Sequence, residues 1–292
     1  MTESLAVGLV GAGPWATMFH APVLGAGPQT RLAAVWARRP EAAASLATAH
    51  GAVACTRYEE LLDRCEAVAF AVPPDVQVPL AVTAAAAGKT LLLEKPLAGH
   101  LGAARRLAGA VGEAGVGSLV LFTARFSEGV ATFLDEVVGG PWTSGRCWYL
   151  SGAFLDGPFS SSPWRHERGA LLDVGPHAID LATAALGPAV EVRATRSPGG
   201  WDAAQLRHES GAVSELSLSC STASAGGAGI ELRDRDRVTT LDVHAAMGVG
   251  DLGANIRSAL VDAAAGRPHP CDVHRGLVIQ ELLDAAERQV RS

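Results

Sequence analysis

The stretch Leu5-Ala-Val-Gly-Leu-Val-Gly-Ala-Gly-Pro-Trp-Ala16 decides the fold. Its first six residues are apolar and predict a buried strand, and a helix-compatible segment follows from Pro14. Gly11-x-Gly13-x-x-Ala16 lies at the junction, where Gly11 permits a tight turn, Gly13 lets a pyrophosphate approach the backbone, and Ala16 lets helix and strand pack closely. The pattern predicts a dinucleotide bound at the N-terminus of the helix. A glycine-rich turn without a ligand is the alternative.

Strands and helices alternate from this point to about residue 122. The predicted strands are 31–36, 52–55, 67–72, 90–93 and 118–122, and the predicted helices are 40–50, 58–63, 76–87 and 101–114. Continuous apolar strands that alternate with helices are typical of a parallel sheet covered on both faces. We therefore predict an α/β Rossmann domain, a doubly wound parallel sheet, over residues 1–123. A chain of 292 residues is long for one domain, so residues 124–292 are predicted to form a second one.

Composition narrows the partners and the compartment. A net charge of −6 argues against nucleic acid and anionic membrane, which leaves a small molecule as the expected partner. No signal peptide and no apolar run of membrane-spanning length is visible, so a cytoplasmic location is expected. Five widely spaced cysteines suggest reduced thiols. Because histidines and thiols lack metal-ligand spacing, we predict no metal.

The end of the second predicted strand bears on the choice between NAD and NADP. An acidic residue there would accept hydrogen bonds from the adenosine ribose, but this chain has Ala37-Arg38-Arg39. Guanidinium groups in place of a carboxylate suit a ribose that carries a 2′-phosphate. We therefore predict NADP in preference to NAD. Arginines at a solvated helix entry are the alternative.

Glu94-Lys95-Pro96 follows directly after the predicted strand 90–93. Open α/β sheets bind their ligands at the carboxyl ends of the strands, so Lys95 should face the cofactor cleft. A lysine there can bind a substrate oxygen, polarise a carbonyl or relay a proton, and Glu94 could position it. On spacing alone, a surface ion pair remains an alternative.

Several motifs together resemble one known family. They are Gly11–Ala16, Val72-Pro73-Pro74, Ala86-Ala87-Gly88-Lys89, Glu94-Lys95-Pro96-Leu97-Ala98, Trp164-Arg165, and Gly169-Ala-Leu-Leu-Asp173-Val-Gly-Pro-His177-Ala-Ile-Asp180. In their order and separations they resemble the Gfo/Idh/MocA oxidoreductases, which include glucose–fructose oxidoreductase and inositol dehydrogenase. The resemblance implies a smaller α+β second domain whose open mixed or antiparallel sheet forms one wall of the substrate site. It also implies hydride transfer between a nicotinamide and a secondary alcohol or its ketone, often on a sugar or cyclitol.

The resemblance maps the catalytic roles onto Lys95, Asp173 and His177, with Asp180 adjacent. Helical spacing agrees, because Asp173, His177 and Asp180 would fall on one helix face. His177 can take the hydroxyl proton during oxidation or donate it during reduction, and Asp173 could orient it or bind substrate. Pro176 disfavours helix at the residue before it, so the helix is expected to start or kink there.

The remaining site residues are assigned by motif position. The predicted cofactor contacts are Gly11, Gly13, Pro14, Trp15, Ala16, Ala37, Arg38, Arg39, Val72, Pro73, Pro74, Gln77, Glu94 and Lys95. The predicted substrate contacts are Lys95, Arg125, Trp164, Arg165, Asp173 and His177. Gln77 stands where relatives commonly carry His, which should change a cofactor contact. Surface packing is an equal alternative for Arg125 and Trp164-Arg165, and the Ser-rich segment 157–163 is a candidate lid.

Few residues remain after the motif helix, which should end near Leu186. Strands are predicted at 203–207, 213–220, 229–233 and 237–241, and helices at 251–265 and 273–290. We therefore expect a reduced second sheet that lacks one or more strands. A homo-oligomer, most simply a dimer, is expected, although a reduced sheet leaves the mode of assembly open.

Two other functions remain open. One is reduction of a non-sugar substrate, such as a linear tetrapyrrole or a cyclic diol. The other is a non-catalytic NADP-binding regulator, which would give no reason to retain Lys95 together with His177.

Overall fold

A computed structural model describes residues 4–160, 162–223 and 226–291. They form two compact units. The first comprises the chain up to Leu121 together with Gly253–Leu277, and the second comprises Phe122–Leu252 together with the chain from Val278. The sequence-based boundary after residue 123 assigns all of Gly253–Leu277 to the second domain, whereas in the structure this segment packs with the first unit.

The first unit is built on a six-stranded sheet whose strands all run parallel. The strands are β1 (Leu5–Val10), β2 (Thr30–Trp36), β3 (Val53–Ala54), β4 (Ala67–Phe70), β5 (Thr90–Leu93) and β6 (Ser118–Val120), in the order β3-β2-β1-β4-β5-β6. The intervening helices are a π-helical turn (Ala16–His20), α1 (Ala21–Gly25), α2 (Pro40–Ala49), α3 (Tyr58–Leu62), α4 (Pro74–Ala86) and α5 (Leu101–Ala114). The predicted doubly wound Rossmann domain is thereby confirmed.

Some local predictions are corrected by the structure. The strand predicted at 52–55 is only Val53–Ala54, and it is exposed rather than buried, because β3 pairs with β2 alone at the edge of the sheet. The helix expected from Pro14 does begin there, and it continues as the π-helical turn from Ala16. The strands predicted at 67–72 and 118–122 are two residues shorter in the structure and end at Phe70 and Val120.

The segment Gly253–Leu277 completes the first unit. It contains most of α10 (Leu252–Ala264) and the start of α11 (Val273–Val290). The Val120 N–H donates to Cys271 O at 2.6 Å, and the Val273 N–H donates to Ser118 Oγ at 3.1 Å. These bonds fix the segment against β6, because they use polar groups that an edge strand would otherwise expose.

The second unit is built on a six-stranded mixed sheet. Its strands are β7 (Ser144–Leu150), β8 (Ala189–Arg196), β9 (Asp202–His208), β10 (Val213–Ser219), β11 (Gly227–Arg233) and β12 (Val238–Asp242), in the order β12-β11-β7-β10-β9-β8. Its other elements are a 3₁₀ turn (Thr123–Phe126), α6 (Glu128–Val137), α7 (Pro163–Asp173), α8 (Gly175–Leu186) and α9 (Val243–Met247). β7 and β10 are parallel and the other pairs are antiparallel, which confirms the expected mixed sheet.

The second sheet has more strands than the sequence analysis predicted. Two strands, β7 and β8, escaped prediction, and β7 lies in the middle of the sheet. β8 has a single buried position, Val192, and alternates with charged side chains. β7 includes Gly145, a residue with poor strand propensity, and a Cβ added there would lie 2.8 Å from the end of the Leu186 side chain, which would have to shift. Across the described residues, no helix is long and apolar enough to cross a membrane.

Candidate active site

The glycine-rich turn has the geometry that a pyrophosphate requires. Gly11 has φ of +116°, and a Cβ added there would lie 2.4 Å from the carbonyl oxygen of Ala71, so only glycine fits. Its N–H donates to Trp36 O at 2.8 Å, which joins the turn to the end of β2. A Cβ added at Gly13 would meet nothing within 4 Å, so the backbone there borders open space. The turn therefore fits a dinucleotide phosphate.

A pocket of about 320 Å³ opens beside this turn, within the size range of small-ligand sites. Its walls include Gly11–Gly13, Trp36–Arg39 and Ala71–Pro73. None of the described residues that line it is acidic. Arg38 and Arg39 are exposed at its rim, and within the described part of the chain neither guanidinium forms an ion pair. The structure therefore brings seven of the predicted cofactor residues to one pocket, namely Gly11, Gly13, Ala37, Arg38, Arg39, Val72 and Pro73.

Glu94 joins the glycine-rich turn and its helix to the loop that carries Lys95. The Trp15 indole Nε1–H donates to Glu94 Oε1 at 2.6 Å, and His20 Nε2 lies 2.8 Å from the same oxygen. The other carboxylate oxygen accepts from the Lys95 backbone N–H at 3.2 Å. Trp15 in turn stacks on Phe19 with ring centroids 4.5 Å apart. Glu94 and His20 are buried, whereas Lys95 is half-buried.

Gln77 has a different environment from the one predicted. Its side chain lies on α4, is completely buried, and bonds to the backbone of Glu94 and Leu97. A side chain enclosed in this way presents no surface to a cofactor, so we withdraw the predicted cofactor contact. The sequence did not indicate the Trp15–His20–Glu94 cluster or the hydrogen bonds of Gln77. Trp15, His20 and Gln77 all lie well away from Glu94 in the chain.

In the second unit the motif residues do not share one continuous helix. α7 ends at Asp173 and α8 begins at Gly175, so the predicted single face of Asp173, His177 and Asp180 is corrected. The break falls just before Pro176, consistent with the expected disruption at that residue. Both carboxylates of the motif nevertheless lie in the same unit and are buried.

Each motif carboxylate is paired with an arginine. Asp173 forms an ion pair with Arg165, and the Cys220 thiol lies 3.8 Å from its Oδ2. Arg125 Nη1 donates to both oxygens of Asp180 at 3.1 Å. Arg125 and Arg165, predicted as substrate contacts, thus neutralise buried carboxylates. The Arg165 guanidinium also lies 4.8 Å from the ring centroids of Phe159 and Trp164.

His177 lies among aromatic rings. It stacks on Tyr149 with centroids 5.6 Å apart, and Phe122 approaches edge-on at 6.5 Å. Burial, and after it the charge of Asp173, raises the pKa of Tyr149, so the phenol stays protonated at neutral pH. These rings and the Arg125–Asp180 pair border a small cavity of about 20 Å³, enough for a single water.

Two further predictions concern loops and metals. The candidate lid 157–163 includes residue 161, which lies outside the described residues. Among the residues that the structure describes, no group of three or more His, Cys, Asp or Glu side chains is placed to hold a metal ion. The five cysteines are free and buried.

A glycine-rich parallel-sheet domain with an open dinucleotide pocket, followed by a mixed-sheet domain, defines the class of nicotinamide-dependent oxidoreductases. Comparison with known families agrees. A model described as "Oxidoreductase family, NAD-binding Rossmann fold" matches residues 5–122, and the GFO/IDH/MocA C-terminal domain model matches residues 130–238. The chain belongs to the Gfo/Idh/MocA oxidoreductase family.

The curated relatives include sugar-modifying enzymes. The chain is 30% identical over 197 residues to dTDP-3,4-didehydro-2,6-dideoxy-alpha-D-glucose 3-reductase of Streptomyces violaceoruber, an alignment that covers 65% of this chain and 57% of that protein. It is 32% identical over 138 residues to levoglucosan dehydrogenase of Pseudarthrobacter phenanthrenivorans, covering 44% and 35% of the two chains. The match to the reductase thus spans little more than half of that relative's length.

Solved structures match over nearly their whole length. GenD2 from gentamicin A biosynthesis, in complex with NAD, is 26% identical with a TM-score of 0.87, and the match covers 100% of this chain and 95% of that one. UDP-N-acetylglucosamine 3-dehydrogenase GnnA from Acidithiobacillus ferrooxidans shares the fold at 22% identity, with a TM-score of 0.85 and 98% of each chain covered.

Proposed function

We propose that this protein transfers a hydride between a nicotinamide cofactor and a secondary alcohol, or the matching ketone, of a sugar. One observation carries the proposal. The Glu94-Lys95-Pro96 loop follows β5 directly, and the glycine-rich turn follows β1, so both lie at the same edge of the parallel sheet. The carboxyl ends of parallel strands are the ligand-binding edge of such a sheet. Family membership supports the redox chemistry, and the sugar enzymes among the relatives support the substrate class.

The chain's own residues would divide the chemistry between binding and proton transfer. The nicotinamide, when bound, supplies or accepts the hydride. The Lys95 ammonium binds the reacting oxygen of the substrate and stabilises negative charge on it. His177 takes the hydroxyl proton in oxidation and returns it in reduction. The ion pair with Arg165 holds the Asp173 carboxylate in place. Asp173 is the proposed third member of the catalytic group, with Lys95 and His177.

We propose NADP as the preferred cofactor. A 2′-phosphate carries negative charge and needs donors, and Arg38 and Arg39 supply them at the pocket rim beside Ala37. Within the part of the chain that the structure describes, no carboxylate lines that pocket to bind an unmodified ribose. The structurally similar GenD2 was solved in complex with NAD, so the arginines are the basis of the proposed difference.

We also propose a homodimer formed through the exposed face of the mixed sheet. A concavity of about 580 Å³ on this face is lined by strands β7 to β10, with charged side chains such as Arg146, Arg193 and Glu215 beside apolar ones such as Ala204 and Leu216. Light scattering of the purified protein should give the mass of two chains. A monomer at micromolar concentration would refute this assembly.

The test of the function is a substrate screen with a matched variant. Free and nucleotide-linked ketosugars and sugar alcohols are mixed with NADP(H) or NAD(H), and the reduced cofactor is followed by its absorbance. We expect turnover with a sugar, and Lys95→Ala should lower it about 10²-fold while cofactor affinity survives, as for the loss of one acid–base group. Lys89→Ala is the control, because that ammonium donates to Cys65 O at the other end of β5. Turnover that is equal in both variants would remove Lys95 from the chemistry.

The same screen separates the competing functions. Turnover of cyclic diols or linear tetrapyrroles without turnover of sugars would replace the proposed substrate class. Cofactor binding without turnover on any of these compounds would favour a regulator.

A further inference from the structure

The side chain of Gln77 is bonded to the backbone on both sides of Lys95-Pro96. Its Oε1 accepts from the Glu94 N–H at 2.8 Å. Its Nε2 donates to Glu94 O at 3.0 Å and to Leu97 O at 3.1 Å. The amide thus uses one acceptor and both of its donor hydrogens on a single loop. Gln77 is fully buried, so water cannot replace these bonds.

The loop needs these bonds because it lies beyond the β-ladder. The last residue of β5 is Leu93, whose carbonyl accepts from the Leu121 N–H at 2.8 Å. From Glu94 onward the backbone leaves the sheet, and Pro96 has no N–H to donate. Buried backbone groups must find partners, and here a side chain from α4 provides them. Gln77 therefore replaces the secondary structure that the loop lacks.

The Glu94 carboxylate holds the same peptide from the other side. It accepts from the Lys95 N–H at 3.2 Å and is itself bonded to Trp15 and His20. The backbone around Lys95 is therefore held in two ways. Gln77 on α4 bonds to it directly. Trp15 and His20, which follow the glycine-rich turn, bond to the Glu94 carboxylate, which accepts from the Lys95 N–H. An ammonium held in this way starts the reaction already oriented, and a displacement of about 1 Å can cost ~10²-fold in rate.

We propose that Gln77 is a positioning residue that sets the location of the Lys95 ammonium for catalysis. The inference rests on the proposed function, since it assumes that Lys95 acts on the substrate. Gln77 itself contacts neither substrate nor cofactor in this role. Loss of its bonds should lower kcat more than it changes the KM for the cofactor, because the glycine-rich turn keeps its own hydrogen bonds.

The test compares a variant at the clamp with a matched variant elsewhere. Gln77→Met keeps the length of the side chain and removes all three hydrogen bonds. Thr30→Val is the control. Thr30 is the buried first residue of β2, at the edge of the sheet opposite to Lys95, and its hydroxyl donates to Leu24 O at 2.7 Å. Both lose buried hydrogen bonds in the same unit. We expect Gln77→Met to lower kcat at least 10-fold with the cofactor KM within about 2-fold, and Thr30→Val to leave kcat unchanged.

A double variant separates positioning from a general structural role. If Gln77 acts through Lys95, then Lys95→Ala with Gln77→Met should be no slower than Lys95→Ala alone. Independent, multiplied losses would overturn the proposal, as would equal kcat values for Gln77→Met and Thr30→Val. An undiminished rate in Lys95→Ala would overturn the proposed function itself. A normal rate in Gln77→Met beside an impaired Lys95→Ala would overturn the clamp alone.

Gln77→Glu gives a second readout if Gln77→Met folds poorly. A carboxylate can accept from the Glu94 N–H but repels the carbonyl oxygens of Glu94 and Leu97, whereas a protonated carboxyl can donate to one of them. Burial beside carbonyl oxygens favours the protonated form. The kcat of Gln77→Glu relative to the unmodified protein should therefore rise as the pH falls. A kcat for Gln77→Glu equal to that of the unmodified protein at every pH would overturn the proposal.

Discussion

Arg125→Met should destabilise the second unit strongly, because it removes the guanidinium that neutralises Asp180. The two side chains are 14% and 1% exposed, and Arg125 Nη1 bonds to both carboxylate oxygens at 3.1 Å. Breaking a buried pair from one side costs about 3–5 kcal/mol, because the remaining charge is left uncompensated. Solvent reaches part of Arg125, so we expect the lower end, about 3 kcal/mol, or roughly a 10²-fold shift in the folding equilibrium.

Urea unfolding measured by circular dichroism and tryptophan fluorescence tests this magnitude. The matched variant is Arg125→Met with Asp180→Leu, which removes both charges and should recover at least half of the lost free energy of unfolding. If Arg125 instead served only to bind substrate, as the sequence suggested, Arg125→Met would raise KM and leave the urea midpoint unchanged. That result would refute the structural reading of the pair.

The other predictions concern the cofactor and the proton. NADPH should bind more tightly than NADH, and Arg38→Ala should reduce that preference by roughly 10-fold, as for the loss of one charge-assisted hydrogen bond; equal affinities of the unmodified protein in a fluorescence titration would contradict it. Gly11→Ala should abolish cofactor binding in the same titration, because its Cβ would lie 2.4 Å from Ala71 O, and retained micromolar affinity would show that the turn relaxes. His177→Ala should remove one ionisation from the pH profile of kcat/KM, and an identical profile would exclude a proton-transfer role.

The fold of the first unit could be predicted because its signals are local. Each inner strand of the parallel sheet contains a continuous apolar run, and Gly11-x-Gly13 marks the turn after β1. Two strands of the second sheet, β7 and β8, were not predicted. β8 has only Val192 fully buried, and β7 pairs with β10 and β11, which lie far along the chain.

The site residues divide in the same way. Their positions in the sequence could be read from motifs, but their partners could not. Nothing local indicates that Arg165 would pair with Asp173, or that Gln77 would bond to the backbone around Lys95. Such partners depend on where helices pack in three dimensions, and spacing within one helix carries no information about that. For the same reason the break between α7 and α8 altered the expected face of the motif.

The return of the C-terminal segment to β6 has a consequence for synthesis on the ribosome. Translation delivers Ser118–Val120 well before Cys271, whose carbonyl pairs with the Val120 amide. Until that segment has been synthesised, the edge strand β6 of the nascent nucleotide-binding unit is uncovered and can pair with strands of other nascent chains. A fragment ending near residue 123 would keep this defect permanently. Engineering an isolated cofactor module from this protein would therefore require Gly253–Leu277 to be grafted on as well.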